Sequence, residues 1–370
     1  MSLVPLTGPA VLLMDALRAE RVTQADTRQA IDRFLRACTP LPSDERQSQF
    51  DQLLSIVDEL PTGPACFLAV VCGALLEQGA WPGRMGEVIH RLLDEILPQA
   101  AYLARECLKR EQATIQPQSI FSTDKEEDAY YERLDEVSLQ VFEVASTANP
   151  NAREAWDHLE ALWPACIALY SRDVAARVRG RAFLPVIAPL ADRHEGGHWL
   201  LKILPVLDQE PLLVIDPARR VGIAAKMSGV VDNFQLQTLL MDTIPRRWYE
   251  RRRVSRSAVE VAIGVGPQGT DETITGRWNL YQATAIGPTG RLPKTPDEAV
   301  PHWLWGEGVP SDIAVIDGHR IVLLGPATYS RSWQSLRLFR NLRAQLDEVR
   351  VLDPASITAW LQRLQEHASR

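Results

Sequence analysis

The apolar periodicity of this 370-residue chain changes once, near residue 200, and that change limits the fold more than any single motif. Before it, apolar residues recur three and four apart. TQADTRQAIDRFLRAC places Ile31, Phe34, Leu35 and Cys38 on one helical face, with Thr23 or Asp26 as cap. SDERQSQFDQLLSIVDEL opens with acids that suit the helix dipole and then presents Phe50, Leu53, Leu54 and Val57. GPACFLAVVCGALLEQG is apolar almost all round and predicts a central buried helix. Further helices are expected at about 84–111, 125–147, 151–171 and 173–192, with a polar, exposed connection over about 112–132.

After the change, short β-branched runs end at Gly or Asp-Pro. PLLVID (211–216), RRVGIAAKMSGVV and SAVEVAIGVG read as strands, and TGRWNLYQATAIG alternates. DIAVIDGHRIVLLG sets two strands around Asp317-Gly318, a pair suited to the positive φ angles of a tight hairpin. Amphipathic helices are expected at 332–346 and 354–368, with the strand EVRVLD between them. The expected fold is α+β. An all-α helical array, an irregular solenoid or bundle, fills 1–200, and a mixed α+β domain with two C-terminal helices fills 201–370.

The formal charge of −7 argues against a general nucleic-acid binder, whose surface must be basic. The five cysteines, Cys38, Cys66, Cys72, Cys107 and Cys166, form no C-x-x-C pair and read as buried thiols of a reducing compartment. No basic region precedes the apolar stretch at the N-terminus, and no apolar run is long enough to span a bilayer. A cytoplasmic protein is therefore expected.

HWLLKILPVLDQEPLLVIDPARRVGIAAKMSGVVDNFQLQTLLMDTIP and HWLWGEGVPSDIAVIDGHRIVLLGP resemble segments of a group of uncharacterised bacterial proteins, several from actinobacteria. The resemblance extends over much of the chain. It implies a bacterial cytoplasmic protein and carries no activity with it.

Three stretches offer chemistry. In RHEGGHW, His194, Glu195 and His198 spell H-E-x-x-H, which on a helix sets two imidazoles one turn apart for zinc, with the glutamate as general base. Gly196 and Gly197 are poor interior helix residues, and Glu210, Asp216 and Glu250 compete as third ligand. An interdomain turn is the favoured expectation there, so no cofactor is expected, with zinc as the alternative.

The second stretch, IPRRWYERRRVSR, interleaves Arg246, Arg247, Arg251, Arg252, Arg253 and Arg256 with Trp248 and Tyr249. Such a pattern could neutralise phosphates and stack on bases. The overall negative charge favours instead an exposed amphipathic segment whose arginines pair with the acidic N-terminal half, and docking on an acidic protein partner fits the same residues equally well. The third, PHWLWGEGVPSD, gathers His302, Trp303, Trp305, Glu307 and Asp312 on a loop stiffened by Pro and Gly. It is either a contact surface or a plug over the sheet. GVGPQGT lacks the Gly-Lys-Ser/Thr ending of a phosphate loop. The leading expectation is a non-enzymatic interaction protein that recognises a partner protein or small ligand through its Trp/Arg-rich C-terminal domain. A zinc metallohydrolase and a nucleic-acid-associated factor using 246–256 are the alternatives, and oligomeric state stays open.

Overall fold

The computed structural model describes residues 8–17, 24–114, 124–245, 248, 254–287, 290–327 and 330–368. The chain is α+β and divides into two compact units, Met1–Leu204 and Pro205–Arg370.

The first unit is helical: α1 (Pro9–Leu17), α2 (Gln24–Cys38), α3 (Ser43–Glu59), α4 (Thr62–Glu77), α5 (Met85–Thr114), α6 (Asp124–Ala148), α7 (Pro150–Arg172), α8 (Val174–Gly180), α9 (Leu184–Ile187) and α10 (Glu195–Ile203). Helix α7 starts where Asn149 accepts the Ala152 N–H and Pro150 occupies the first turn. It packs against α4, α5 and α10, so helices distant in sequence surround it and the array is a bundle. The nearly all-apolar α4 buries Leu68, Val71, Leu75 and Leu76. The expected single helix over 173–192 is instead α8, α9 and two 3-10 turns, because Pro185 and Pro189 cannot donate into a continuous ladder.

All five thiols are buried in this unit. Burial raises Cys38 to about 11, Cys66 to about 12 and Cys72 to about 12, and it pushes Cys107 and Cys166 up as well. The folded protein should therefore show almost no fast reaction with a disulfide reagent at neutral pH, whereas the chain in denaturant should titrate five thiols.

The second unit contains β1 (Glu210–Asp216), β2 (Val221–Ser228), α11 (Asn233–Thr243), α12 (Arg256–Ile263), β3 (Gly269–Thr275), β4 (Asn279–Gln282), α13 (Pro296–Ala299), β5 (Val315–Ile316), β6 (His319–Gly325), β7 (Ser332–Leu336), β8 (Gln345–Val351) and α14 (Pro354–Ala368). The main sheet runs β4-β6-β1-β2-β8; β1 and β6 are parallel and the other pairs antiparallel. Strands β3 and β7 pair separately.

Both faces of the main sheet are covered. Leu212, Val214, Ile223, Val322 and Leu324 meet α11 and α12 through Leu236, Leu240, Ala258 and Ala262. Leu213, Ile215, Ile321 and Leu323 meet α14 through Ile357, Leu361 and Leu364. A strand buried on two sides needs an unbroken apolar run, which is why PLLVID does not alternate. The β5–β6 turn has Asp317 at φ 48° and Gly318 at φ 76°, as the Asp-Gly pair predicts. Strand β8 lies at the end of the sheet order, and a bulge with Glu348 at φ 50° interrupts its ladder with β2.

Two expectations are corrected. SAVEVAIGVG is helix α12, because Ser255 accepts the Ala258 N–H at its start and Ala258, Val261 and Ala262 share one buried face. The expected helix at 332–346 is strand β7 and a loop: Trp333 and Ser335 face inward while Ser332, Gln334 and Leu336 face out. Beyond β7, buried Arg337 donates to the carbonyls of Val261, Phe339 and Arg340, tying the loop to the end of α12.

Candidate functional site

RHEGGHW is the start of α10, not a turn between domains. His194 precedes the helix in extended conformation and is 3% exposed. Its Nδ1 accepts the Gly197 N–H at 3.3 Å, so the ring proton sits on Nε2, which donates to the Trp156 carbonyl at 3.1 Å. Both nitrogens thus serve the main chain, and this histidine is a helix cap. Burial, the largest influence, lowers its pKa, against the opposing pull of the Trp156 carbonyl, Glu160, Glu195 and Asp157.

The two glycines have a packing reason. A Cβ on Gly196 would stand 2.7 Å from the Trp163 side chain, and one on Gly197 would stand 2.6 Å from that of Leu190. Only bare backbone lets the first turn of α10 come this close. Glu195 is exposed and accepts from the Trp199 indole at 3.2 Å, while exposed His198 packs edge-on against Trp199. In this geometry His194 has no lone pair available to a metal. Of the other proposed ligands, Glu210 pairs with Arg320 at 2.8 Å, Asp216 accepts the Arg219 N–H, and Glu250 lies outside the described residues.

Of the arginine-rich stretch, Arg246, Arg247, Tyr249, Arg251, Arg252 and Arg253 lie outside the described residues. Trp248 is half-buried and packs on the α11–α12 side of the core. Arg256 is exposed and pairs with Glu260 one helical turn on.

The loop 301–312 is held in place by contacts from several elements. Its first half extends the sheet edge: Trp303 bridges to Tyr281, and the Leu304 N–H donates to the Leu280 carbonyl at 2.9 Å. The chain then turns over Trp305–Gly308 and closes against the start of α11. The Asn233 and Phe234 N–H groups donate to the carbonyls of Gly308 and Gly306, each at 3.0 Å, and Asn233 Nδ2 donates to the Trp305 carbonyl at 2.8 Å. Asp232 takes the Gln235 N–H at 2.7 Å. The first-turn donors of α11 are therefore used to hold the loop. Gly306 presses on the Phe234 ring, which stacks on Trp333.

This anchoring separates the two tryptophans. Trp303 is 7% exposed and belongs to the α14 side of the core, whereas Trp305 is 47% exposed. Arg331, itself buried, links them: its guanidinium lies 5.0 Å from the Trp303 ring and 4.7 Å from the Trp305 ring, and it donates to the Leu304 carbonyl. The loop is thus a plug at Trp303 and an outward surface at Trp305. Glu307 and Asp312 are exposed, and half-buried His302 shares a hydrogen bond with Thr284. The participation of Arg331, Asn233 and Phe234 was not visible in the sequence, since each is distant from the loop and no local pattern marks it.

Charge is distributed unevenly between the units. The first carries 29 acidic against 20 basic residues, while the second carries 18 against 20. No helix among the described residues is long and apolar enough to cross a membrane. Comparison with protein-family models, with curated proteins and with solved structures gives no match to this chain.

Proposed function

We propose that this is a binding protein without catalytic activity of its own, and that it docks a partner protein on the Trp305 face of its second unit. The observation that carries this reading is the combination of a half-exposed indole with a fixed base. The Trp305 carbonyl is tied to Asn233, and one ring contact is made by a buried guanidinium. A rigid aromatic side chain loses little conformational entropy on association, which is why such residues dominate binding energy at interfaces. Covering the remaining apolar area of one indole, on the order of 100 Å², stabilises a complex by about 2–3 kcal/mol. The exposed carboxylates of Glu307 and Asp312 would then lie at the polar rim, where charge governs selectivity and encounter more than affinity.

The test is selection of displayed peptides on the full chain, with counter-selection on Trp305→Ala. Peptides that bind the native protein should lose at least about thirtyfold in affinity for the variant, equivalent to about 2 kcal/mol. Retention of every selected peptide by Trp305→Ala would remove this face from the function.

A further inference from the structure

We propose a second docking surface, on the first unit, in which Trp81 and the acidic face of α3 receive a lysine- or arginine-bearing segment of a partner protein. Trp81 is 75% exposed, more than any other large apolar side chain among the described residues. Its backbone is nevertheless fixed. The Gln47 side chain takes the Trp81 N–H at 2.7 Å and returns a hydrogen bond to the Trp81 carbonyl at 3.2 Å. Ala80 and Pro82 on either side are buried. An indole held in this way and left in water contributes nothing to the core, and its large flat face is open to a cation.

Gln47 also joins this loop to a groove of about 430 Å³, lined by Asp44, Gln47, Ser48, Asp51, Gln52 and Ser55. Among the described residues the lining recurs at helical spacing and lies on one face of α3. Exposed Asp44 and Asp51 accept only from neighbours on their own helix, Ser43 and Gln47, and form no ion pair among the described residues. Arg46, the nearest basic residue in sequence, is occupied elsewhere, donating to the carbonyls of Cys38, Thr39, Leu41 and Gln78. Two unneutralised carboxylates beside an open indole match an ammonium or guanidinium group, and the acid excess of the unit favours a basic approach. An apolar or acidic partner would leave those charges uncompensated.

The experiment measures fluorescence anisotropy of a labelled decapeptide of alternating Lys and Arg, titrated with the full chain at low and moderate salt. A Gly-Ser decapeptide serves as the neutral probe. The basic peptide should bind, and its affinity should fall as salt rises. Trp81→Ala and the double variant Asp44→Asn/Asp51→Asn should each weaken it about tenfold. Glu132→Gln/Asp135→Asn, which removes the same charge from exposed positions on α6, should leave it unchanged. Equal binding by the Trp81 and α3 variants, or an equal loss in the α6 variant, would reduce the effect to general attraction by an acidic surface and overturn the proposal. Sedimentation showing a native dimer that Trp81→Ala dissociates would assign the face to a second copy of this chain instead. All four substituted acids and Trp81 are exposed, and unchanged thermal melts would show that the variants fold.

Discussion

His194→Ala should lower the stability of the helical unit by about 3 kcal/mol. Loss of the cap at α10 accounts for about 1 kcal/mol. The remainder comes from the Trp156 carbonyl, which loses the Nε2–H that satisfies it, and from the cavity left by a fully buried imidazole. His194→Asn should recover the cap portion, since an amide oxygen can accept the Gly197 N–H. The native chain and His194→Asn also separate by pH. Burial holds the folded-state pKa of His194 below its unfolded value of 6.5, so the unfolded chain binds the extra proton first. The contribution is therefore complete above about pH 6.5 and declines as pH falls below it, by up to about 1.4 kcal/mol per pH unit for one proton. His90 is lowered for the same principal reason and adds to the acid sensitivity. Thermal melts between pH 5 and 8 should show a shallower acid decline in His194→Asn than in the native chain. An unchanged slope would mean that His194 remains neutral or charged alike in both states.

Gly229→Ala should destabilise the second unit by about 3 kcal/mol or more, the largest effect of any single-methyl addition proposed for the sheet. Gly229 follows β2 at φ 68°, donates its N–H to the Leu207 carbonyl, and leaves a Cβ only 1.9 Å from the Arg343 carbonyl oxygen. The contact is with backbone, so a rotamer change cannot relieve it, and the strain adds to the conformational penalty of a left-handed alanine. Two other glycines calibrate the result. Gly318→Ala meets nothing within 4 Å but keeps a positive φ, and should cost about 1 kcal/mol. Gly287→Ala has neither problem and should be close to neutral. Denaturant unfolding of the three variants should reproduce that order; a Gly229→Ala chain as stable as Gly287→Ala would disprove the close approach.

The sequence announced local features whose cause is local. Asp317-Gly318 marked its hairpin because two adjacent positive φ angles suit that pair. The run at 211–216 read as a strand because its neighbours on both faces are apolar. It was silent or misleading where partners come from elsewhere in the chain. Val259 and Val261 suggested a strand, and tertiary packing with the Ser255 cap made α12 instead. Leu336, Leu338, Phe339 and Leu342 mimic a helical stripe, yet pairing with β3 extends the segment from Ser332 to Leu336. At the candidate surface, the two tryptophans of loop 301–312 were legible, but their different fates were not. Burial of Trp303 and exposure of Trp305 depend on Tyr281, Asn233 and Arg331, and only the folded chain brings these together. The glycines of HEGGH were legible as an anomaly. Their explanation, the proximity of Trp163 and Leu190, was not.

The uneven placement of the cysteines makes this protein an unusually direct one to instrument. Residues 205–370 contain none, and the five upstream are all enclosed. A single cysteine introduced at exposed Glu307, two residues from Trp305, would be the only thiol open to a maleimide dye or spin label in the folded chain. No native cysteine need be removed, so the core of the helical unit stays intact. The proposed docking face can therefore be probed in the otherwise natural sequence, with the label's mobility reporting directly on whether a partner has arrived.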